Sequence, residues 1–256
     1  MDEIQDTTQK RVLIGVGVAV AAVAVLLGAL VLAGGDDDDD GATSASSSTT
    51  LSTTTTSTAP STTTTTAPAA PAITPADLDA ALFPDLSGDD RYDDPVDLAR
   101  AFATETLGFR DDVAVGAFAA GDAQSGEVEV SAIETVPTTV LVRKVGDGSW
   151  AVIGAVTESI ELATPANGSP IRSVQPVLGR AYAFEGQVDV ALYADGSEDP
   201  IAQTFVTGRG DGVLGPFEGD LEFQVPNGAT RGLLVLTSAS GEDGSTMAAT
   251  AIRVRF

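Results

Sequence analysis

Gln187-Val188-Asp189-Val190-Ala191-Leu192-Tyr193-Ala194-Asp195-Gly196 is the stretch from which the fold of this chain is read. Val188, Val190 and Leu192 alternate with Asp189, Ala191 and Tyr193, the period of a strand with one buried face. Asp195-Gly196 then supplies the chemistry of a tight hairpin turn, and residues 201–207 return as a second strand. The same grammar extends in both directions. Runs at 160–163, 174–184, 187–193, 201–207, 215–225, 232–238 and 247–256 carry strand composition. They are punctuated by Asn167-Gly168, Asp195-Gly196, Asp211-Gly212, Asn227-Gly228 and Asp243-Gly244. Seven short strands spaced by turn signals predict an immunoglobulin-like β-sandwich over residues 162–256. The chain has no Cys, so no inter-sheet disulfide is available and apolar packing must hold the two sheets together.

Upstream, residues 77–161 change texture. Thr74, Pro75 and Asp77 read as helix cap, first helical residue and first-turn acid, opening a short helix expected to end near Phe83 before Pro84. Asp94, Pro95 and Asp97 repeat the signal, and Val96, Ala99, Phe102, Ala103 and Leu107 recur at helical spacing until Gly108 stops them. Strand runs follow at 113–118, 126–133, 138–145 and 150–156, the last two joined by Asp147-Gly148. Helices followed by antiparallel strands predict a small α+β domain. The expected fold class is therefore mainly β, an α+β domain followed by a sandwich.

The N-terminal third is of another kind. Residues 12–33 are 22 apolar residues without a charge. At about 1.5 Å per residue they reach roughly 33 Å, enough to cross a hydrocarbon core of about 30 Å. Lys10 and Arg11 flank the N-terminal side, and the five Asp residues at 36–40 lie on the other. The positive-inside rule then predicts a cytoplasmic tail at 1–11, a transmembrane helix at 12–33 and an extracellular C-terminus, a single-pass protein of the cell membrane. Cleavage after Ala33 is the competing reading, but a signal-peptide core usually runs to about 7–15 residues, which favours an uncleaved anchor. Residues 34–76 form an acidic and then Thr/Ser/Pro/Ala-rich linker. In residues 41–76 there are fourteen Thr, seven Ser, eight Ala and four Pro with no charge, too little apolar surface to offset the entropy of folding.

Charge and missing residue types narrow the chemistry. With 37 Asp and Glu against 13 Lys and Arg the formal net charge is −24, which repels nucleic acid. The absence of His and Cys excludes Cys/His zinc sites, Ser/His/Asp triads and Cys/His dyads. Paired carboxylates remain for glycan hydrolysis, yet one Trp and three Tyr leave few aromatic platforms for sugars. Lys144 would have to serve any Ser/Lys dyad, but it sits in the strand run 140–145 beside a turn and reads as a solvent-facing residue. Asp195, Ser197 and Asp199 alternate like the start of a calcium loop, but Pro200 stands where that loop needs Gly, and a hairpin turn is the better reading. The acidic runs at 36–40 and 89–97 read as solvated faces, and Arg209-Gly210-Asp211 and Asn167-Gly168-Ser169 as turns. No residue is assigned to catalysis, to a cofactor or to a metal.

One set of residues carries a resemblance. Pro165, Asn167-Gly168, Pro176, Gly179, Ala181, Phe184-Glu185-Gly186, Val188, Val190, Asp195-Gly196, Gly215-Pro216-Phe217 and Leu221-Glu222-Phe223 together resemble the immunoglobulin-like domain of bacterial spore germination proteins. The resemblance implies a non-catalytic interaction module and carries over no catalytic residues. The expected function is a single-pass cell-envelope protein presenting an extracellular interaction, scaffold or sensing module, with an envelope protein or cell-wall component as partner. An envelope enzyme acting on wall glycan through paired carboxylates is the alternative.

Overall fold

The computed structural model describes residues 72–132 and 136–256, and these form one mainly β unit. The expected transmembrane segment at 12–33 and almost all of the linker lie outside the described residues. Among the described residues no helix is long and apolar enough to cross a membrane.

Two helices open the unit. In α1 (Pro75–Ala80), Thr74 and Asp77 cap each other reciprocally. It ends sooner than the sequence suggests, because the chain turns extended to meet a strand. The Leu82 amide donates to the Val152 carbonyl at 2.7 Å, and the Val152 amide to the Phe83 carbonyl at 2.8 Å. The residue before a proline avoids helical dihedrals, so Phe83 is suited to this bridge. In α2 (Pro95–Glu105), Asp94 accepts from the amides of Val96 and Asp97, and Leu98, Ala99, Phe102 and Ala103 are buried.

Thirteen strands follow: β1 (Ala114–Val115), β2 (Ala119–Ala120), β3 (Ser125–Ser131), β4 (Thr138–Lys144), β5 (Trp150–Thr157), β6 (Ile160–Thr164), β7 (Ser169–Pro170), β8 (Val174–Ala181), β9 (Gln187–Ala194), β10 (Ala202–Thr207), β11 (Gly215–Glu222), β12 (Arg231–Ala239) and β13 (Thr246–Arg255). The principal path runs β1-β3-β4-β5-β13-β12-β9-β10, and β6, β8 and β11 pair among themselves off that path. Every named pairing is antiparallel except β7 with β13. The seven runs expected as sandwich strands are strands β6 and β8 to β13, all within one thirteen-stranded sheet. The short β2 and β7 were not foreseen, and only Ala114–Val115 of the expected run 113–118 is paired as β1. The six predicted Asx-Gly turns each have their glycine at positive φ, between 72° and 91°.

The sandwich core gathers Val177, Val188, Val190, Leu192, Phe217 and Leu221 with Leu234, Leu236 and Val254. A second core joins α2 to β3, β4 and β5 and takes Leu233, Val235, Ala249 and Ala251 from β12 and β13. Adjacent residues of β12 therefore enter different cores, as strand alternation requires when both faces are covered. The boundary read between residues 161 and 162 falls inside β6. β5 touches the sandwich on both sides of that point, through Ala155 opposite Ala251 and Thr157 opposite Ile160.

Candidate functional site

Cross-strand register builds the site. In β12, Leu233 stands opposite Tyr193 of β9 on one side and Arg253 of β13 on the other. The three side chains thus form a row on the face turned away from the sandwich core. Two residues along each strand on the same face stand Arg231 and Asp195, so two guanidinium groups and one carboxylate converge. Arg253 donates from Nη1 to Asp195 Oδ1 and, at 3.4 Å, to the Gly232 carbonyl. Arg231 Nε lies 3.2 Å from Asp195 Oδ2. Its Nη1 donates to Asp79 of α1 at 3.0 Å.

A cleft of about 710 Å³ opens between this row and the helical segment. Leu82, Phe83, Leu233 and Tyr193 are its apolar lining, and Arg231 and Arg253 line it as well. Asp85, Asp90, Glu105 and Glu198 stand exposed around it. Arg253 is 5% exposed, and burial pushes its guanidinium below the usual arginine range against the opposing pull of Asp195. Burial and then Asp199 push the Tyr193 phenol up. The arrangement can hold a small polar ligand by charge-assisted hydrogen bonds. Among the described residues lining the cleft, the Ser197 hydroxyl donates to the Asp199 carbonyl and not to a carboxylate.

The motifs weighed in the sequence take up structural duties. Lys144 is exposed and stacks 5.3 Å above the Trp150 ring. Asp195 is engaged by arginines, and Ser197 donates to the Asp199 carbonyl at 2.7 Å, which makes a turn of the apparent calcium loop. Arg209 pairs with Asp211 inside its own turn. Asn167 Oδ1 accepts from the Arg253 amide at 2.9 Å, tying the Asn167-Gly168 turn to β13. Phe184-Glu185-Gly186 forms a short 3-10 turn with Glu185 at φ 54°, and Phe184 is 61% exposed at the mouth of an apolar groove with Tyr182 and Met247.

Sequence reading missed Arg231 and Arg253, which are twenty-two positions apart and meet only through register. The available signal was Ile252-Arg253-Val254, a charge inside an otherwise apolar strand in a chain with few bases.

Residues 159–245 match the family model of the immunoglobulin-like domain of bacterial spore germination. The match starts one residue before β6 and ends one residue before β13, so it spans six of the seven sandwich strands. The resemblance read from the residues between Pro165 and Phe223 is thereby shown for the C-terminal domain. Comparison with curated proteins and with solved structures gives no match for the chain.

Proposed function

We propose that this protein is a single-pass component of the cell envelope that presents a non-catalytic interaction module outside the membrane. The observation that carries the reading is the immunoglobulin-like domain at residues 159–245. Its placement comes from the charge-flanked apolar segment at 12–33 and the uncharged Thr-rich linker behind it. The partner is an envelope protein or a cell-wall component, and an ectodomain of this acidity favours basic partners, with association weakening as salt rises.

The acids of the cleft support binding over turnover. A glycosidase acid sits in a buried, largely apolar setting, whereas Asp85, Asp90, Glu105 and Glu198 are all exposed. The experiment is incubation of the purified chain with peptidoglycan and a panel of glycosides. Retention on the polymer without release of soluble fragments is expected. Release that is abolished by changing one Asp or Glu to its amide would establish the glycan-cleaving alternative.

A further inference from the structure

We propose that Asn227, in the turn between β11 and β12, is a site of spontaneous self-modification, where the Gly228 main-chain nitrogen converts the side-chain amide into a carboxylate through a cyclic imide. The inference rests on the turn itself and does not depend on where the protein sits in the cell.

Six Asx-Gly pairs form turns among the described residues, and five of the six have an engaged side chain. Asp147, Asp211 and Asp243 each accept through Oδ1 from the main-chain amide two residues on, at 2.9 to 3.3 Å. Asp195 is held by Arg231 and Arg253. Asn167 accepts from the Arg253 amide at 2.9 Å. Asn227 makes no side-chain hydrogen bond among the described residues.

The two asparagines form a controlled comparison, because their turns share one geometry. Ser169 donates to the Ala166 carbonyl and Ala229 to the Pro226 carbonyl, both at 3.1 Å, with Gly168 and Gly228 third in their turns at φ 72° and 84°. Both asparagines are exposed, so access to water does not separate them. What separates them is β13. The Gly168 N–H, whose nitrogen is the nucleophile of the reaction, is donated to the Arg253 carbonyl at 2.7 Å, so Arg253 holds both reacting groups of the first turn. In the second turn the Gly228 N–H has no hydrogen-bond partner among the described residues, and nothing lies within 4 Å of where a Cβ on Gly228 would stand. Glycine also lacks the side chain that would crowd the attack.

The Gly228 nitrogen forms a bond to the Asn227 side-chain carbonyl carbon, and the amide nitrogen leaves as ammonia with the Gly228 proton. Water then opens the imide. Breaking the new bond gives aspartate with its ordinary main chain. Breaking the original peptide bond gives isoaspartate, whose main chain runs through the side chain and is one methylene longer. Nothing is oxidised or reduced, and water is the co-reactant. Either product adds a negative charge four residues ahead of Arg231.

The test keeps the full chain in detergent micelles at mildly alkaline pH, with samples digested by trypsin at intervals. Mass spectrometry reads conversion, and chromatography separates isoaspartate from aspartate. Cleavage after Lys144, Arg172, Arg209 and Arg231 places Asn167 and Asn227 in different peptides. In the folded protein Asn227 should convert at least about tenfold faster than Asn167, because two hydrogen bonds must open before Asn167 can react and each corresponds to several-fold in rate. Isoaspartate should be among the products. In guanidinium chloride, which releases both turns, the two asparagines should convert at similar rates. Equal rates in the folded protein, an intact Asn227 there, the same contrast in the unfolded chain, or aspartate without isoaspartate would overturn the proposal.

Discussion

Arg253 of β13 and Asp195 of the β9–β10 turn form an ion pair across β12, with Arg231 closing on the same carboxylate from the other side at 3.2 Å. The pair ties the last strand of the fold to its central hairpin. Arg253 is buried while Asp195 is partly open to solvent, so removing the carboxylate strands a buried cation. Asp195→Ala should lower stability by roughly 2–4 kcal/mol. In urea this appears as a lower midpoint with an unchanged slope. Asp211→Ala breaks an ion pair whose partners are both about half exposed and should leave the midpoint nearly unchanged. Equal effects of the two changes would contradict the assignment.

Gly179 lies where β8 passes between β6 and β11, opposite Leu162 and Phe217. A Cβ at this position would come within 3.0 Å of the Glu161 carbonyl oxygen and of the Phe217 ring. The backbone there has no unusual dihedral to relieve, so the demand for glycine is purely one of space. Gly179→Val should therefore cost at least about 2–3 kcal/mol or prevent folding, as overpacking against backbone does. Gly148 is the control, with φ +91° and open space around it, and Gly148→Ala should cost about 1 kcal/mol through backbone strain alone. Thermal melts of both variants check the contrast, and a neutral Gly179→Val would show that β8 is not packed as described.

Asp77 couples the start of the unit to the β4–β5 turn. Burial raises its pKa, but this is outweighed by hydrogen bonds from the Thr74 amide, the Thr74 hydroxyl and the Gly146 amide and by the charge of Arg143, leaving the carboxyl below its ordinary value of 3.8. A carboxylate whose pKa is depressed by folding stabilises the fold above its unfolded pKa and loses that contribution as pH falls through the folded one. Stability should thus be level with respect to this group above about pH 5 and decline below about pH 4. Asp122, Asp147, Asp211 and Asp243 are also depressed and steepen the decline. Asp77→Asn should reduce stability near neutral pH and shallow the acid limb in denaturant titrations. An acid limb identical to that of the parent protein would show that Asp77 gains nothing from its partners.

Much of the fold was legible because it is locally encoded. Asx-Gly turns, alternating strands and the Thr74 and Asp94 caps each involve residues within a few positions of one another, and they yielded the seven sandwich strands and both helices. The early end of α1 was not legible, because it is set by Phe83 reaching Val152, a partner sixty-nine positions away. Nor was the double burial of β12, although Leu233-Leu234-Val235-Leu236 breaks the alternation of a strand with one wet face. The cleft was the least legible part. Its arginines and Asp195 are ordinary surface residue types in sequence, and only strand register brings them onto one face beneath α1.

Residues 77–256 are proposed to stand outside the membrane behind the apolar segment at 12–33. Because the chain contains no Cys, one introduced cysteine reports on its own location. Gln203→Cys, on an exposed position of β10, should react with a membrane-impermeant maleimide in intact cells, and Thr8→Cys should react only after permeabilisation. Labelling of Thr8→Cys in intact cells while Gln203→Cys stays protected would invert the topology and contradict the account.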